Sequence, residues 1–307
     1  MMDAYVLGKV TRISPEAPVP IISLENEEER IGGAGNVALN LVALGAKPII
    51  ASAVGADANG EKLSKLLKSN DISIDGIIFS EQRKTTVKTR VISNNQQLLR
   101  IDSEDTFPIS KLEEELLITR IENLIELGLD AIIFEDYNKG VLTEELITRV
   151  IELAQKKNIP TAVDPKKENF FAYRNVTLFK PNLKELKEGM NINFNISTNK
   201  TDFEEAVISL ESKINNEISF ITLSEHGVFI KNSTNKHYAK AHLRTIADVS
   251  GAGDTVIAVA TLCLASNLEI AQIAEISNIA GGLVCEKSGV VSIDKKELLQ
   301  EVEQLLG

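Results

Sequence analysis

The residues best suited to chemistry lie in Asp248-Val249-Ser250-Gly251-Ala252-Gly253-Asp254-Thr255, directly ahead of the apolar run VIAVATLCLA. Two glycines and an alanine leave the backbone bare enough for a ligand to approach closely. The amides of Gly251, Ala252 and Gly253 would then sit at a helix N-terminus, where unpaired donors and the helix dipole favour an anion. Charge that builds on phosphoryl oxygens during transfer needs such a cradle. Asp254, at the end of the turn, could accept the proton of an attacking hydroxyl. The same residues also suit a plain tight turn with Asp254 as a helix cap.

Other segments offer partners for that chemistry. Gly32-Gly33-Ala34-Gly35-Asn36-Val37-Ala38 is a second glycine turn feeding a helix, but GGAGN is not the GxGxxG spacing of a dinucleotide site. Asn182 and Glu185 in KPNLKE are spaced i, i+3, which fits either a shared ligand-facing side or a capping box. Ser224 and Gly227 lie in a polar turn after a buried strand, and Asn278 lies on a predicted helix. Asp136 and Lys139, and likewise Asp164 and Lys166, follow apolar strands, where open α/β sheets place ligands; each pair also suits a local ion pair. Lys88 and Arg90 alternate on one face of a predicted strand with Arg100 on its hairpin partner, as an anion site or as solvated charges. No GxxxxGK[ST] loop occurs, so a P-loop enzyme is excluded.

Composition narrows the classes. The chain has 307 residues, 43% hydrophobic and 25% charged, enough to bury a large core. Net charge is 33 − 44 = −11 with no basic block, which argues against nucleic acid or an anionic membrane as partner. Cys263 and Cys285 both fall in apolar helical stretches and read as free buried thiols. No apolar run approaches the roughly 18–20 residues of a membrane span, and no signal pattern opens the chain, so the cytoplasm is expected.

The elements that must position these residues alternate. Ile31–Leu44 reads as a glycine turn and amphipathic helix, Lys47–Val54 as a buried strand, and Gly60–Lys68 as a helix. Between Gly76 and Asp102 the period is that of strands, with Asn94-Asn95 as a hairpin turn. From Leu112 onward helices and short apolar strands take turns, implying right-handed βαβ units and a mostly parallel sheet covered by helices on both faces. The β-rich pieces, roughly 10–31 and 76–102, predict a small lid inserted in one α/β domain spanning 1–307.

The strings at Gly32–Ala38 and Asp248–Thr255, in that order, resemble the two motifs of the PfkB (ribokinase-like) carbohydrate kinases. The resemblance covers essentially the whole chain and implies the ribokinase-like fold and ATP with Mg²⁺. It makes Asp254 the base, Gly251–Gly253 the anion hole, and Gly33 and Asn36 the border of the sugar site. Asn182 and Glu185 would support Mg²⁺ through water, while Ser224, Gly227 and Asn278 would border the nucleotide. A K⁺ ion near Asp248 and Ser250, and a homodimer, follow by analogy. Arg12–Pro20, Asn94–Arg100 and EDYNKG at 135–140 further resemble bacterial D-glycero-β-D-manno-heptose 7-phosphate kinases, which act at the C1 hydroxyl in ADP-heptose and lipopolysaccharide synthesis. A substrate that already carries a phosphate needs donors away from the base, for which Lys88, Arg90 and Arg100 on the predicted lid and Asp136, Lys139, Asp164 and Lys166 past strand ends are the candidates. The resemblance gives Asp3 to sugar hydroxyls. It also implies a first strand ahead of Asp3 that has no counterpart here, and the absence of HxGH predicts a kinase body alone. Alternatives are a fructose-, ribose- or tagatose-phosphate-type kinase, an inert sugar-phosphate sensor and, more remotely, a nicotinamide dehydrogenase.

Overall fold

The computed structural model describes residues 1–94 and 96–307. It opens with two long strands, β1 (Met2–Ile13) and β2 (Pro20–Ile31), then α1 (Ala34–Ala43), β3 (Ile49–Gly55), α2 (Ala58–Ser69) and β4 (Ser73–Ser80). A hairpin follows, β5 (Val87–Ser93) and β6 (Gln96–Ser103). Alternation then begins: α3 (Lys111–Leu127), β7 (Ile132–Glu135), α4 (Glu144–Lys156), β8 (Thr161–Asp164) and β9 (Leu178–Phe179). Next come α5 (Leu183–Met190), α6 (Lys200–Ile214), β10 (Ile218–Thr222), β11 (Val228–Lys231) and β12 (Lys236–Ala239). Three helices end the chain, α7 (Ala252–Ala265), α8 (Ile270–Cys285) and α9 (Lys295–Leu306).

The body is a six-stranded sheet in the order β12-β11-β10-β9-β8-β7, parallel from β7 to β10 and closed by an antiparallel meander. Consecutive residues of β7 face opposite sides, Ile133 toward the α7–α8 core and Phe134 toward the α3–α4–α6 core. Such two-sided burial explains why its strands read as unbroken apolar runs. Helix α3 starts on a complete capping box, Ser110 with Glu113. Among the described residues no helix is long and apolar enough to cross a membrane. Cys263 and Cys285 are buried and unpaired, and burial pushes the Cys263 thiol up to about 11.

The lid differs from its expected boundaries. It is a four-stranded sheet, β2-β1-β5-β6, that begins at Met2, so the opening residues are a full strand where the sequence suggested only the tail of an element. β1 pairs antiparallel with β2 and parallel with β5, placing Asp3 beside Lys88 and Tyr5 beside Arg90. The stretch from Gly76 is not lid. It lies in β4, which runs parallel to β3 in a separate two-stranded sheet and buries Ile77 and Ile78 under α2 and α3. A neighbour about twenty-five residues upstream decides that placement, and local periodicity does not report it. The expected Asn94-Asn95 turn includes Asn95, which lies outside the described residues; β5 and β6 are paired antiparallel on either side of it.

Candidate active site

Gly251 caps α7 with φ of +81°, a conformation that favours glycine, and Asp254 falls in the first turn of that helix. The glycine turn therefore starts the helix and leaves bare backbone beside Asp254. A Cβ on Gly253 would come within 3.8 Å of Asp164 Oδ2, so bare backbone faces that carboxylate. Around Asp254 converge residues from four elements. The Tyr137 hydroxyl donates to its Oδ1 at 3.3 Å, and the Asn36 side chain from the other glycine turn also hydrogen-bonds it. Burial pushes the Asp254 carboxyl up to about 6; Asp164 adds to the rise, while Asn36, Lys180 and Tyr137 hold it down. A base with that acidity is ionised at neutral pH and still basic enough to take a hydroxyl proton.

Asp164 is the electrostatic hub. Its Oδ2 pairs with the fully buried Lys180 at 2.8 Å, and Lys166 stands 3.7 Å from Oδ1. Burial works against the Lys180 charge, but Asp164 overcomes it and the ammonium is held more firmly than usual. The same balance raises Lys166 to about 12, with burial opposed by Asp164 and Glu185. Glu135, in register opposite Asp164, is partly buried, and among the described residues its buried Oε2 has no partner. Burial first, then repulsion from Asp164 and Asp254, pushes its carboxyl well above the usual range.

Asn182 and Glu185 form a full capping box: Glu185 N donates to Asn182 Oδ1 at 2.8 Å, and Asn182 N to Glu185 Oε2 at 2.9 Å. The other Glu185 oxygen pairs with Lys166. Thr222 bridges Asn182, which sets the Ser224 turn beside it. Gly227, at φ +86°, faces the Ala239 carbonyl so closely that a Cβ would clash at 2.1 Å. Asn278 donates to Lys240 O at 2.8 Å and ties α8 to the chain after β12. Asp248 accepts from Ser250 N at 2.9 Å and Gly289 N at 3.2 Å, and these bonds keep its carboxyl acidic.

Beside the Gly32–Ala38 turn, a cleft of about 250 Å³ gathers Asp3, Tyr5 and Asn36 with Val290–Ser292. Asp3 pairs with Arg90 at 2.6 Å. A Cβ on Gly32 would sit 2.4 Å from Asp3 Oδ2, so that glycine makes room for the carboxylate. Gly33, at φ +60°, packs against Met1 and Tyr137. The remaining cations form one network: Lys88 with Asp102 (3.2 Å) and Glu104 (3.3 Å), Lys139 with Glu104 (2.6 Å), and Arg100 with Asp102 (3.0 Å). An anion arriving there must share them with two carboxylates.

Asp136 departs from its expected role. Only 1% exposed, its carboxylate accepts from Asn138 N (2.8 Å), Asn169 (3.0 Å) and the Tyr173 hydroxyl (2.7 Å), and so stabilises the strand end. Strand alternation sends its predecessor Glu135 to the site instead. Sequence reasoning passed over Glu135, Tyr137 and Lys180, although each sits in a string already singled out. It also passed over Asn40, four residues after Asn36. Asn40 Oδ1 accepts from Thr255 Oγ1 (3.1 Å) and Ile293 N (2.9 Å), and its Nδ2 donates to Asn36 O at 2.8 Å. This buried amide locks the two glycine turns together. Asn40→Ala should lower stability by about 2–3 kcal/mol, because the Ile293 N–H loses its side-chain acceptor and the bonds to Thr255 Oγ1 and Asn36 O are lost in the interior; urea unfolding measures it.

The chain matches the pfkB family carbohydrate kinase profile over residues 2–297. It is 39% identical over 298 residues to the bifunctional protein HldE of Sulfurimonas denitrificans, covering 97% of this chain and 61% of that protein. The HldE of Campylobacter curvus is 36% identical over 100% of this chain and 63% of its own length. The chain thus spans about three fifths of these curated relatives. In fold it follows Escherichia coli phosphofructokinase-2 in complex with potassium, with TM-score 0.81 and 21% identity over 99% of this chain and 96% of that one. It also follows Arabidopsis thaliana ribokinase complexed with ribose and ATP, at 0.71 and 16% over 97% and 95%. The chain belongs to the pfkB family of carbohydrate kinases, ATP-dependent phosphotransferases with the ribokinase-like α/β fold.

Proposed function

We propose that the chain transfers the γ-phosphoryl group of ATP to the C1 hydroxyl of D-glycero-β-D-manno-heptose 7-phosphate. The observation that carries the phosphoryl transfer is the partly buried Asp254 carboxylate in the first turn of α7, beside the bare backbone of Gly251–Gly253. Asp254 takes the hydroxyl proton as the oxygen attacks. The amides of the turn hold the developing charge on the transferred group. Asn36 and Tyr137 keep the carboxylate aimed, and Asp3 with Asn36 lines the sugar cleft. The lid cations Lys88, Arg100 and Lys139 take the phosphate already on the sugar. The heptose reading rests on the resemblance of the EDYNKG, Asn94–Arg100 and Arg12–Pro20 strings, and alignment with HldE proteins along the whole chain adds support.

PfkB carbohydrate kinases use Mg²⁺ with ATP. Among the described residues no group of three metal-binding side chains exists, and both Glu185 oxygens are engaged by Asn182 N and Lys166. The donor set therefore fits a phosphate-bound Mg²⁺ held through water near Asn182 and Glu185, where it would offset phosphate charge. The Asp248 carboxylate and Ser250 hydroxyl, hard oxygen donors beside the glycine turn, fit K⁺.

Incubation with ATP and heptose 7-phosphate should give a second phosphate ester at C1, seen by ³¹P NMR. The kcat/KM should exceed that for fructose 6-phosphate by about a hundredfold or more, since a site built to pair polar groups rejects substrates that leave them unpaired. Equal turnover of both sugars, or a product phosphorylated elsewhere, would remove the heptose assignment and leave the kinase class standing.

A further inference from the structure

The turn that carries Asp254 hangs from a segment with little apolar anchorage. Residues 240–251 connect β12 to α7. Of their large apolar side chains, Leu243 is fully exposed, and Ile246 and Val249 are more than half exposed. Hydrophobic burial therefore does not hold this stretch in place. Its attachment is polar. Ala247 N and Asp248 N both donate to the Cys285 carbonyl, at 2.9 and 3.2 Å, and so satisfy the C-terminal end of α8. Further back, Asn278 on α8 donates to Lys240 O at 2.8 Å.

Between these two fixings Arg244 turns inward, its side chain only 6% exposed. Nη1 stands 3.3 Å from Glu286, which caps the end of α8, and Nη2 pairs with Glu301 on α9. The side chain crosses α8 at Gly282. A Cβ there would come within 2.5 Å of Arg244 Nε and 2.9 Å of its Cδ, so bare helix backbone makes the room. The guanidinium also lies beside the last turn of α8, where a cation meets the negative end of the helix dipole. Holding a charge this far from water costs more than an exposed ion pair returns, so stability alone does not account for the arrangement.

The segment leads straight into the glycine turn. Asp248, four residues after Arg244, accepts from Ser250 N and Gly289 N, and Gly251 then caps α7. Any shift of residues 244–248 away from α8 therefore carries the amides of Gly251–Gly253 with it. Without Arg244 the segment would keep only its backbone and amide bonds, which water competes for. Its two partners are better hydrated, with Glu286 36% and Glu301 24% exposed, so losing the cation strands no carboxylate in the interior.

We propose that Arg244 is a positioning residue for ATP: by tying the segment to α8 and α9 it sets the Gly251–Gly253 amides where they meet the phosphates. This rests on the reading of that turn as the phosphoryl cradle, and it is independent of the sugar. It also joins Glu301 on α9, 57 residues further along the chain, to nucleotide binding. The size of the effect follows from occupancy: a segment docked about one-tenth of the time binds its ligand about tenfold more weakly.

The test compares four variants with the parent by calorimetric titration with MgATP and by amide exchange. Arg244→Met should raise the Kd for MgATP about tenfold and speed exchange at Ala247 and Asp248 by about the same factor. Arg244→Lys, whose ammonium is a point charge without the guanidinium fork, should fall between the methionine variant and the parent. Glu301→Gln should weaken ATP about threefold from its place on α9, because it acts only by loosening Arg244. Lys287→Ala is the control. It breaks the exposed 2.6 Å pair with Glu297, which also joins the end of α8 to α9, and should leave both readouts at parent values. Parent-like ATP affinity in Arg244→Met, or an equal loss in Lys287→Ala, would overturn the proposal. Asp254→Asn separates the two layers. If it turns over at the parent rate, the reading of the turn fails and takes this inference with it. If it is inactive while Arg244→Met binds ATP as the parent does, only the role of Arg244 fails.

Discussion

Replacing Asp254 by asparagine should lower kcat by about 10³–10⁴-fold while ATP still binds, because the substitution keeps the shape and removes the only property a base needs. The variant should also be at least as stable as the parent at neutral pH. Asp254 is raised from 3.8 to about 6 on folding, so the folded state binds the proton more tightly than the unfolded chain. Stability therefore falls as pH rises between those values, and above them the ionised carboxylate costs about 3 kcal/mol. Asparagine does not carry that cost. In the parent, kcat/KM should fall tenfold per pH unit below about 6 and level off above it, and the residual activity of Asp254→Asn should lack this limb. A variant that melts early, or that keeps the same limb, would assign the base to another group. Calorimetry, a nucleotide-binding titration and a pH–rate profile together separate these outcomes.

How much of this was legible in the sequence depended on whether the information was local. The turn at 248–255 was legible because its glycines answer a local demand, positive φ at Gly251 and bare backbone at Gly253. Asn36 was legible for the same reason, since it sits on a glycine turn that must begin a helix. The Asn182–Glu185 box follows from spacing alone. Glu135 was not legible, because choosing it over Asp136 requires knowing which face of β7 meets the ligand, and that depends on the register with β8. Lys180 was hidden by its own rarity: a lysine this buried is predicted from a sequence only if its partner Asp164, sixteen residues earlier, is known to lie across the sheet. The lid boundary failed in the same way. β1 pairs in parallel with β5, eighty-five residues on, and β4 is claimed by β3. Period-2 patterning identifies strands but carries no record of their partners.

The second large effect belongs to that hidden lysine. Lys180→Met keeps the volume and removes the only buried cation that, among the described residues, lies within ion-pair distance of Asp164 Oδ2. It leaves a carboxylate in the interior facing Glu135 and Asp254, with Lys166 at 3.7 Å as the remaining counter-charge. Breaking a buried pair from one side costs about 3–5 kcal/mol, far more than the net value of the pair. Urea unfolding should show a loss of that size. Removing the second charge as well, in Lys180→Met with Asp164→Asn, should restore part of it, because no uncompensated carboxylate then remains. Glu135→Gln alone should change stability little, since its carboxyl is already driven toward the neutral form. A merely structural lysine would stop there. Lys180 also holds down the pKa of Asp254, so at temperatures where the variant stays folded, the acid limb of its pH–rate profile should move above the parent's value of about 6. An unmoved limb would confine Lys180 to stability. A moved one would make it the residue that sets the pH range over which Asp254 can act as a base.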